Sequence, residues 1–123
     1  MRELTDHIVS GDQAVQLTIQ VLDEPGAGGA NHAYRILGTY KDGSKFFYDI
    51  DFQKGPIKEA GVNGITQEAL LAIVIDRLNS FQAGPFACAD NQTALQHIAS
   101  GLEFLQRRTK ARIARGVEGR NIK

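Results

Sequence analysis

The chain contains one cysteine among 123 residues, and this scarcity sets the first limits on its chemistry. A lone thiol, Cys88, excludes an intramolecular disulfide and fits the reducing interior of a cell. No secretory apolar segment opens the sequence, and no apolar run approaches the roughly 18–20 residues that cross a bilayer. We therefore expect a soluble intracellular protein without a membrane partner.

Residue patterns that support metal binding or catalysis are also scarce. The three histidines, His7, His32 and His97, are scattered and have no cysteine or carboxylate at ligand spacing, so no metal site is predicted. The glycine-rich stretch 25–30 (PGAGGA) lacks the ending of a P-loop and precedes a strand, which favours a mobile or tightly bent connection. Without a Gly-x-Ser-x-Gly elbow or a histidine near Cys88, the sequence predicts no catalytic residue, no cofactor and no enzyme.

Net charge is absent as well, because 14 basic residues balance 14 acidic ones. Such a surface has no general attraction for DNA or RNA, so we predict no polymeric nucleic acid as partner. Any nucleotide must instead bind locally, in a pocket.

What the first half of the chain does have is the alternation of half-buried β-strands. Apolar side chains take every second position over residues 14–22, again near residues 32–40, and again after Asp42-Gly43, which we expect to form a two-residue hairpin turn with positive φ. Three antiparallel strands with one apolar face need a cover. The residues predicted on that face are Val15, Leu17, Ile19, Val21, Tyr34, Ile36, Tyr40, Phe46, Tyr48, Ile50 and Phe52.

The second half predicts a helical hairpin. Thr66 is a plausible N-cap for a helix that is apolar around much of its circumference, Gly84-Pro85 ends it, and a longer helix runs from about Asp90 to Arg115 with Gly116 as its stop. The leftover apolar surface of the first helix favours oligomerisation. We predict an α+β fold, an N-terminal antiparallel sheet of three or slightly more strands followed by a C-terminal helical hairpin. It would form one domain over residues 1–123: a β part to about 53, a hairpin from 54 to 119 and a tail from 120 to 123.

The hairpin carries the candidate binding residues. Arg108, Arg112 and Arg115 share one stripe at about 100° per residue, beside the face of Leu95, Ile98, Leu102, Leu105 and Ile113, and guanidinium forks suit phosphate. The alternative is a solvated basic end that complements the helix dipole. Phe81 and Asn91 flank the bend, where a ring can stack on a purine and an amide can read its edge, although a phenylalanine there also suits a hairpin core. Together these residues predict a nucleotide pocket.

An ordered series of motifs resembles the helical-hairpin family of phage anti-defence proteins. The series comprises residues 52–64 (FQKGPIKEAGVNG), 70–78 (LLAIVIDRL), 81–88 (FQAGPFAC) with Asn91, and 108–119. The hairpin is shared by sponges of CBASS cyclic oligonucleotides and by the Thoeris anti-defence branch, which the β half resembles through Asp23-Glu24-Pro25-Gly26 and Gly28-Gly29-Ala30.

This resemblance implies sequestration without cleavage. Members bind glycocyclic ADP-ribose, some form hexamers as trimers of dimers, and some hold cyclic di- or trinucleotides in a second site. Carried over, Phe81 and Asn91 contact the adenine part, and Arg108 and Arg112 the diphosphate. Gly116, Val117, Glu118 and Gly119 form the candidate second pocket, followed by Arg120 where the family often has threonine. The expected location is the cytoplasm of the infected host bacterium, and the expected assembly is a homodimer or hexamer.

Two other classes of function stay open from the sequence. A hydrolase that destroys the nucleotide signal would need a general base or a metal near the phosphates. A protein-interaction module would use Arg108, Arg112 and Arg115 to grip acidic side chains.

Overall fold

The computed structural model describes residues 1–11 and 16–123 and contains a sheet followed by helices. The four strands are Arg2–Leu4 (β1), Thr18–Val21 (β2), Ala33–Thr39 (β3) and Lys45–Asp51 (β4), all antiparallel in the order β1-β2-β3-β4. The helices are Ile57–Ala60 (α1), Gln67–Gln82 (α2) and Ala89–Ala114 (α3), with a short 3₁₀ turn at Ala27–Gly29. The predicted α+β fold is confirmed. Val15, predicted on the apolar face, lies outside the described residues.

The register of the sheet follows the alternation in the sequence. Tyr34 lies opposite Ile50 and Ile36 opposite Tyr48, so the predicted apolar positions of β3 and β4 share a face. The Phe46 ring lies over Gly38, where an added Cβ would meet ring carbons at 2.3 and 2.6 Å. The sequence did not predict β1, because three residues are too few to show a period of two.

The turn between β3 and β4 differs from the predicted one. A two-residue turn with positive φ requires that conformation at both central residues, but only Gly43 adopts it, at φ 90°. Gly43 N–H donates to Tyr40 O at 2.9 Å, so the turn lies one residue earlier and Gly43 follows it. Asp42 Oδ1 instead accepts from Ser44 N and Ser44 Oγ, and these bonds lower the pKa of Asp42.

The segment after β4 is fixed by amide side chains. Phe52 forms a parallel bridge with Ile65, and Gln53 Nε2 donates to the carbonyls of Gly55 and Gly61 at 3.1 and 2.8 Å. Asn63 Nδ2 donates to Lys54 O, and Asn63 Oδ1 accepts from Lys54 N, both at 2.7 Å. These hydrogen bonds explain why amide side chains and glycines occur together in residues 53–63.

Helices α2 and α3 begin and end where the sequence predicts, while the four-residue α1 was not predicted. Thr66 Oγ1 accepts from Ala69 N at 3.2 Å and caps α2. At the end of α3, Gly116 N–H donates to Ile113 O and Val117 N–H to Arg112 O, both at 3.0 Å, which is the bond pair of a Schellman motif. Gly116 therefore ends the helix as predicted, with φ 73°.

Most apolar side chains of the described residues stay partly exposed. Val21, 1% exposed, is the one hydrophobic residue among them that is buried, while α2 and α3 each leave large apolar side chains in solvent. Ile113, predicted on the apolar face of α3, is 60% exposed, and it lies near the C-terminal end of a helix of 26 residues whose neighbour α2 has 16. The exposed apolar residues of the two helices are Ile73, Val74, Phe81, Phe104 and Ile113.

Contacts divide the described residues into two compact units. One contains the sheet with residues 60–65, and the other contains residues 56–59 and the hairpin from Thr66 onward. No helix in residues 1–11 and 16–123 is both long and apolar enough to cross a membrane.

Candidate functional site

The side chain of Gln82 braces the bend between α2 and α3. Its Nε2 donates to Cys88 O at 3.0 Å and to Gln92 Oε1 at 3.3 Å, and its Oε1 accepts from Cys88 N at 3.0 Å. The carboxamide thus satisfies both backbone groups of Cys88, as a neighbouring strand would. The bend is consequently a fixed platform, and the sequence reasoning missed Gln82 because its partners lie across a turn with no period.

Phe81 lies at this bend, one residue before the end of α2. Its side chain is 42% exposed, which argues against a hairpin core residue and leaves the ring accessible. The guanidinium carbon of Arg77, one helical turn earlier, lies 5.6 Å from the ring centroid, within cation–π range. The spacing of four residues on α2 is the sequence signal for this pair.

Asn91 lies in the first turn of α3 and is half-buried. Its backbone N–H donates to Cys88 Sγ at 3.4 Å, so the cysteine serves as the N-cap of α3. Phe81 and Asn91 therefore flank a single bend, as predicted, each on an element whose end is fixed by a hydrogen bond.

The other end of α3 carries the arginines. Arg108 and Arg115 are exposed and make no ion pair with any described residue. Arg112, between them on the same stripe, is instead buried at 9% exposure. Its Nε donates to Glu118 Oε2 at 3.0 Å, and its Nη2 donates to the carbonyls of Val117 and Arg120 at 3.0 and 2.9 Å. The candidate turn Gly116–Gly119 therefore lies at the same end of α3 as these arginines.

The length of α3 separates the two groups of residues. Arg108 follows Asn91 by 17 residues on an unbroken helix, which is about 25 Å at 1.5 Å per residue. A dinucleotide-sized ligand cannot contact both ends of one protomer at once. The predicted pocket of Phe81, Asn91, Arg108 and Arg112 therefore stays a prediction, and it needs residues from two protomers.

The glycine-rich stretch 25–30 is tightly bent, one of the two predicted forms. Gly26 N–H donates to Ala30 O at 2.8 Å and Gly28 has φ 72°. Asp23 Oδ2 accepts from His32 N at 2.9 Å, and this backbone bond is the main reason that the pKa of Asp23 is lowered. Across the described part of the chain, no group of three or more His, Cys, Asp and Glu side chains is arranged to hold a metal.

Comparison with known proteins places the hairpin in a family. The family described as "Acb2/Tad1, hairpin domain" matches residues 48–110, which include α1, α2 and most of α3. A similar protein is "Thoeris anti-defense 1" of Bacillus phage SBSphiJ7, 41% identical over 85 residues that cover 69% of this chain and 60% of that protein. The match to this relative thus spans less than two thirds of its length.

Proposed function

The chain belongs to the Acb2/Tad1 hairpin family, and on that basis we propose that it is a phage anti-defence sponge that counters Thoeris immunity. It sequesters glycocyclic ADP-ribose in the cytoplasm of the infected host bacterium without cleaving it. The name of the phage relative supports an action against Thoeris immunity, and the chemistry of the candidate residues supports the binding of a nucleotide. A phenyl ring, an amide and guanidiniums hold a nucleotide, but none of them serves as a general base near neutral pH.

The first site is the bend. Phe81 offers an accessible ring for the adenine, a contact of roughly 1–3 kcal/mol, and Asn91 reads the base edge. The observation that carries this proposal is the Gln82 clamp, since a bend fixed by three hydrogen bonds lets the ligand bind without ordering the chain first. Slow release, which sequestration needs, depends on such preorganisation.

The second site is the arginine end, for the phosphates of cyclic di- or trinucleotides. Arg108 and Arg115 have their guanidinium groups exposed, and the turn of Gly116, Val117, Glu118 and Gly119 lies beside them through Arg112. Unpaired guanidiniums bind phosphate with two parallel hydrogen bonds. This end would accept a ligand richer in phosphate than the bend does.

Assembly completes the proposal. Ile73 is 58% exposed and Phe104 60% exposed, and a homodimer through the hairpins, or a hexamer built as a trimer of dimers, would cover such side chains. In an antiparallel dimer, the arginine end of one protomer can approach the bend of its partner. Arginines from the partner would then supply the diphosphate contacts that one protomer cannot.

The test uses two ligands and one substitution at each end. Wild type, Phe81→Ala and Arg108→Ala are titrated with glycocyclic ADP-ribose and with cyclic triadenylate by calorimetry. We expect Phe81→Ala and Arg108→Ala each to weaken glycocyclic ADP-ribose by about tenfold or more, because arginines from the partner supply the diphosphate contacts, and Arg108→Ala to weaken the trinucleotide as well. Unchanged binding of glycocyclic ADP-ribose by Arg108→Ala would show that this arginine of a second protomer does not contact the ligand at the bend.

Release of the ligand separates sequestration from catalysis. Glycocyclic ADP-ribose is incubated with the protein, the protein is denatured by heat, and the ligand is analysed by mass spectrometry. Unchanged ligand supports the sponge, while breakdown products would show a hydrolase. No shift in melting temperature with any cyclic nucleotide would favour a protein-interaction module.

A further inference from the structure

The outer edge of β4 has free main-chain groups. In an antiparallel pair, alternate residues of a strand bond the neighbouring strand, and the residues between them point their N–H and C=O groups to the other side. Phe52 N–H donates to His32 O at 2.8 Å, so the even-numbered residues of β4 bond β3. Lys45, Phe47 and Asp49 therefore direct their main-chain groups away from β3, where no main-chain group of the described residues bonds them.

The open edge has a defined end. Ile65 N–H donates to Asp51 O at 2.9 Å, and an added Cβ on Gly64 would lie 2.6 Å from the same oxygen. Residues 64 and 65 thus occupy the outer side of the strand at Asp51. A further strand can pair with residues 45–49 of the edge and no further.

The side chains of this edge strand are aromatic and exposed on both faces of the sheet. Phe47 is 57% exposed and Tyr48 61% exposed, and neighbouring residues of a strand point to opposite faces. The guanidinium carbon of Arg35, on β3, lies 4.5 Å from the centroid of the Phe47 ring. A strand added at the edge would contact exposed aromatic rings on both faces at once, which makes the edge a template for pairing.

A second copy of the same strand is complementary to this edge. Two copies related by a two-fold axis pair antiparallel, and we place Phe47 opposite its own copy. Lys45 of each copy then lies opposite Asp49 of the other, and Phe46 lies opposite Tyr48. All three outward-pointing residues exchange main-chain hydrogen bonds, about six in total. The charged pairs on one face are of opposite sign, and the pairs on the other face are aromatic.

Neighbouring registers fit less well. An axis at Tyr48 would place Lys45 opposite Asp51, whose carbonyl already accepts from Ile65. An axis at Phe46 would remove the pairs of opposite charge. The position of the axis is consequently determined by the end of the open edge together with the order of charges along the strand.

We propose that the open edge of β4 is an interface between two copies of this chain, which pair antiparallel with Phe47 on the two-fold axis. The two four-stranded sheets then form one continuous sheet. This interface belongs to the sheet unit and is separate from the hairpin assembly of the proposed function. It needs no ligand.

Hydrogen exchange of the wild-type protein tests the main-chain bonds directly. At millimolar protein concentration, we expect the amides of Phe47 and Asp49 to be protected by about a hundredfold or more relative to an unstructured chain. The amides of Tyr48 and Ile50, which bond β3, should be protected whether or not the edge is paired. They are the internal control for an intact sheet.

A cysteine cross-link tests the position of the axis. In a Cys88→Ser background, where serine can cap α3, Phe47→Cys places two thiols at a pair whose Cα atoms lie about 5.5 Å apart, within disulfide range. We expect a disulfide-linked dimer under mild oxidation. Lys45→Cys is the matched control, because it is exposed on the same strand but lies about 13 Å from its own copy. It should cross-link about tenfold more slowly or less.

The contribution of charge is tested in the Phe47→Cys protein. Adding Lys45→Glu places like charges opposite each other in both pairs, and the rate of cross-linking should fall by about tenfold or more. Lys41→Glu makes the same change of charge at an exposed residue outside the paired segment. It should alter the rate by less than about twofold.

Contrary results overturn the inference. Rapid exchange of the Phe47 and Asp49 amides beside protected Tyr48 and Ile50 amides would show that the edge stays unpaired, with Lys45 protecting it from association. Equal cross-linking of Phe47→Cys and Lys45→Cys would show contact without the proposed register. An unchanged rate with Lys45→Glu would show that the charges do not determine the pairing. Because no ligand is present, none of these results bears on the proposed function.

Discussion

Replacing Gln82 with Ala should loosen the bend that carries both Phe81 and Asn91. The substitution removes one carboxamide, which leaves Cys88 N without its protein partner and leaves Cys88 O with the backbone N–H of Gln92 at 3.1 Å. Because the residue lies in the last turn of α2, the helix itself tolerates alanine well. The effect therefore reports the clamp and not helix propensity.

The magnitude follows from the two bonds to Cys88, both 3.0 Å long, since the contact to Gln92 is longer at 3.3 Å. A neutral hydrogen bond contributes about 0.5–1.5 kcal/mol net, so the two predict about 1–3 kcal/mol. Water can reach the exposed bend and solvate the freed backbone groups, which places the expected loss near the lower end, about 1–2 kcal/mol. Affinity for an adenine ligand should fall by about three- to tenfold, because the ligand must then order the bend.

Urea denaturation followed by circular dichroism measures the free energy of unfolding, and calorimetric titration with glycocyclic ADP-ribose measures the affinity. Gln96→Ala is the matched control, because Gln96 is exposed on α3 and forms none of the hydrogen bonds of the bend. A Gln82→Ala protein that matches Gln96→Ala within about 0.5 kcal/mol would refute the clamp. A protein that loses stability but binds with unchanged affinity would separate the clamp from the binding site.

Three further predictions concern the sheet unit. Gly64→Ala should cost about 3 kcal/mol, because its Cβ would lie 2.5 Å from Phe52 C and 2.6 Å from Asp51 O, which are backbone atoms. Gly38→Ala should cost less, about 1–2 kcal/mol, because the Phe46 ring in its way can rotate; thermal unfolding of both variants checks the order. Arg35 lies 2.6 Å from Asp49 and lowers the pKa of its carboxyl, so this pair stabilises the fold above the unfolded pKa of about 3.9 and the contribution is lost as pH falls through the lower folded value. Stability of Asp49→Asn should consequently vary less over that acid range, as measured by melting temperature against pH.

Much of the backbone could be predicted from the sequence, because local signals determine it. The alternation of apolar residues predicted β3 and β4, and Thr66 predicted the start of α2. Gly116 predicted the end of α3, because the positive φ found there is disfavoured for residues with a side chain. The short strand β1 has no such signal. The turn after β3 escaped prediction because two turn types share the dipeptide Asp-Gly and differ only in the φ of Asp42.

The site was harder to predict, because its contacts are not periodic. Arg108, Arg112 and Arg115 share one face of α3, as their spacing predicts, yet the tail buries only Arg112. The backbone carbonyls of Ile122 and Arg120, which accept hydrogen bonds from Arg112, carry no side-chain signature in the sequence. Periodicity also carries no information on distance along the helix axis. Asn91 and Arg108 lie on the same helix, about 25 Å apart along it.

The salt dependence of binding tests whether arginines contact the ligand at both ends of the hairpin. The Debye length is about 8 Å at physiological ionic strength, so carboxylates elsewhere on a chain of zero net charge do not cancel the local field of Arg108 and Arg115. Binding at the arginine end should therefore weaken as salt is raised, by about tenfold between low and high ionic strength. Under the proposed assembly, arginines from a second protomer contact the diphosphate at the bend, so affinity for glycocyclic ADP-ribose should also weaken as salt is raised. An affinity for glycocyclic ADP-ribose that changes by less than about threefold would show instead that the bend binds through the uncharged Phe81 and Asn91 without those arginines.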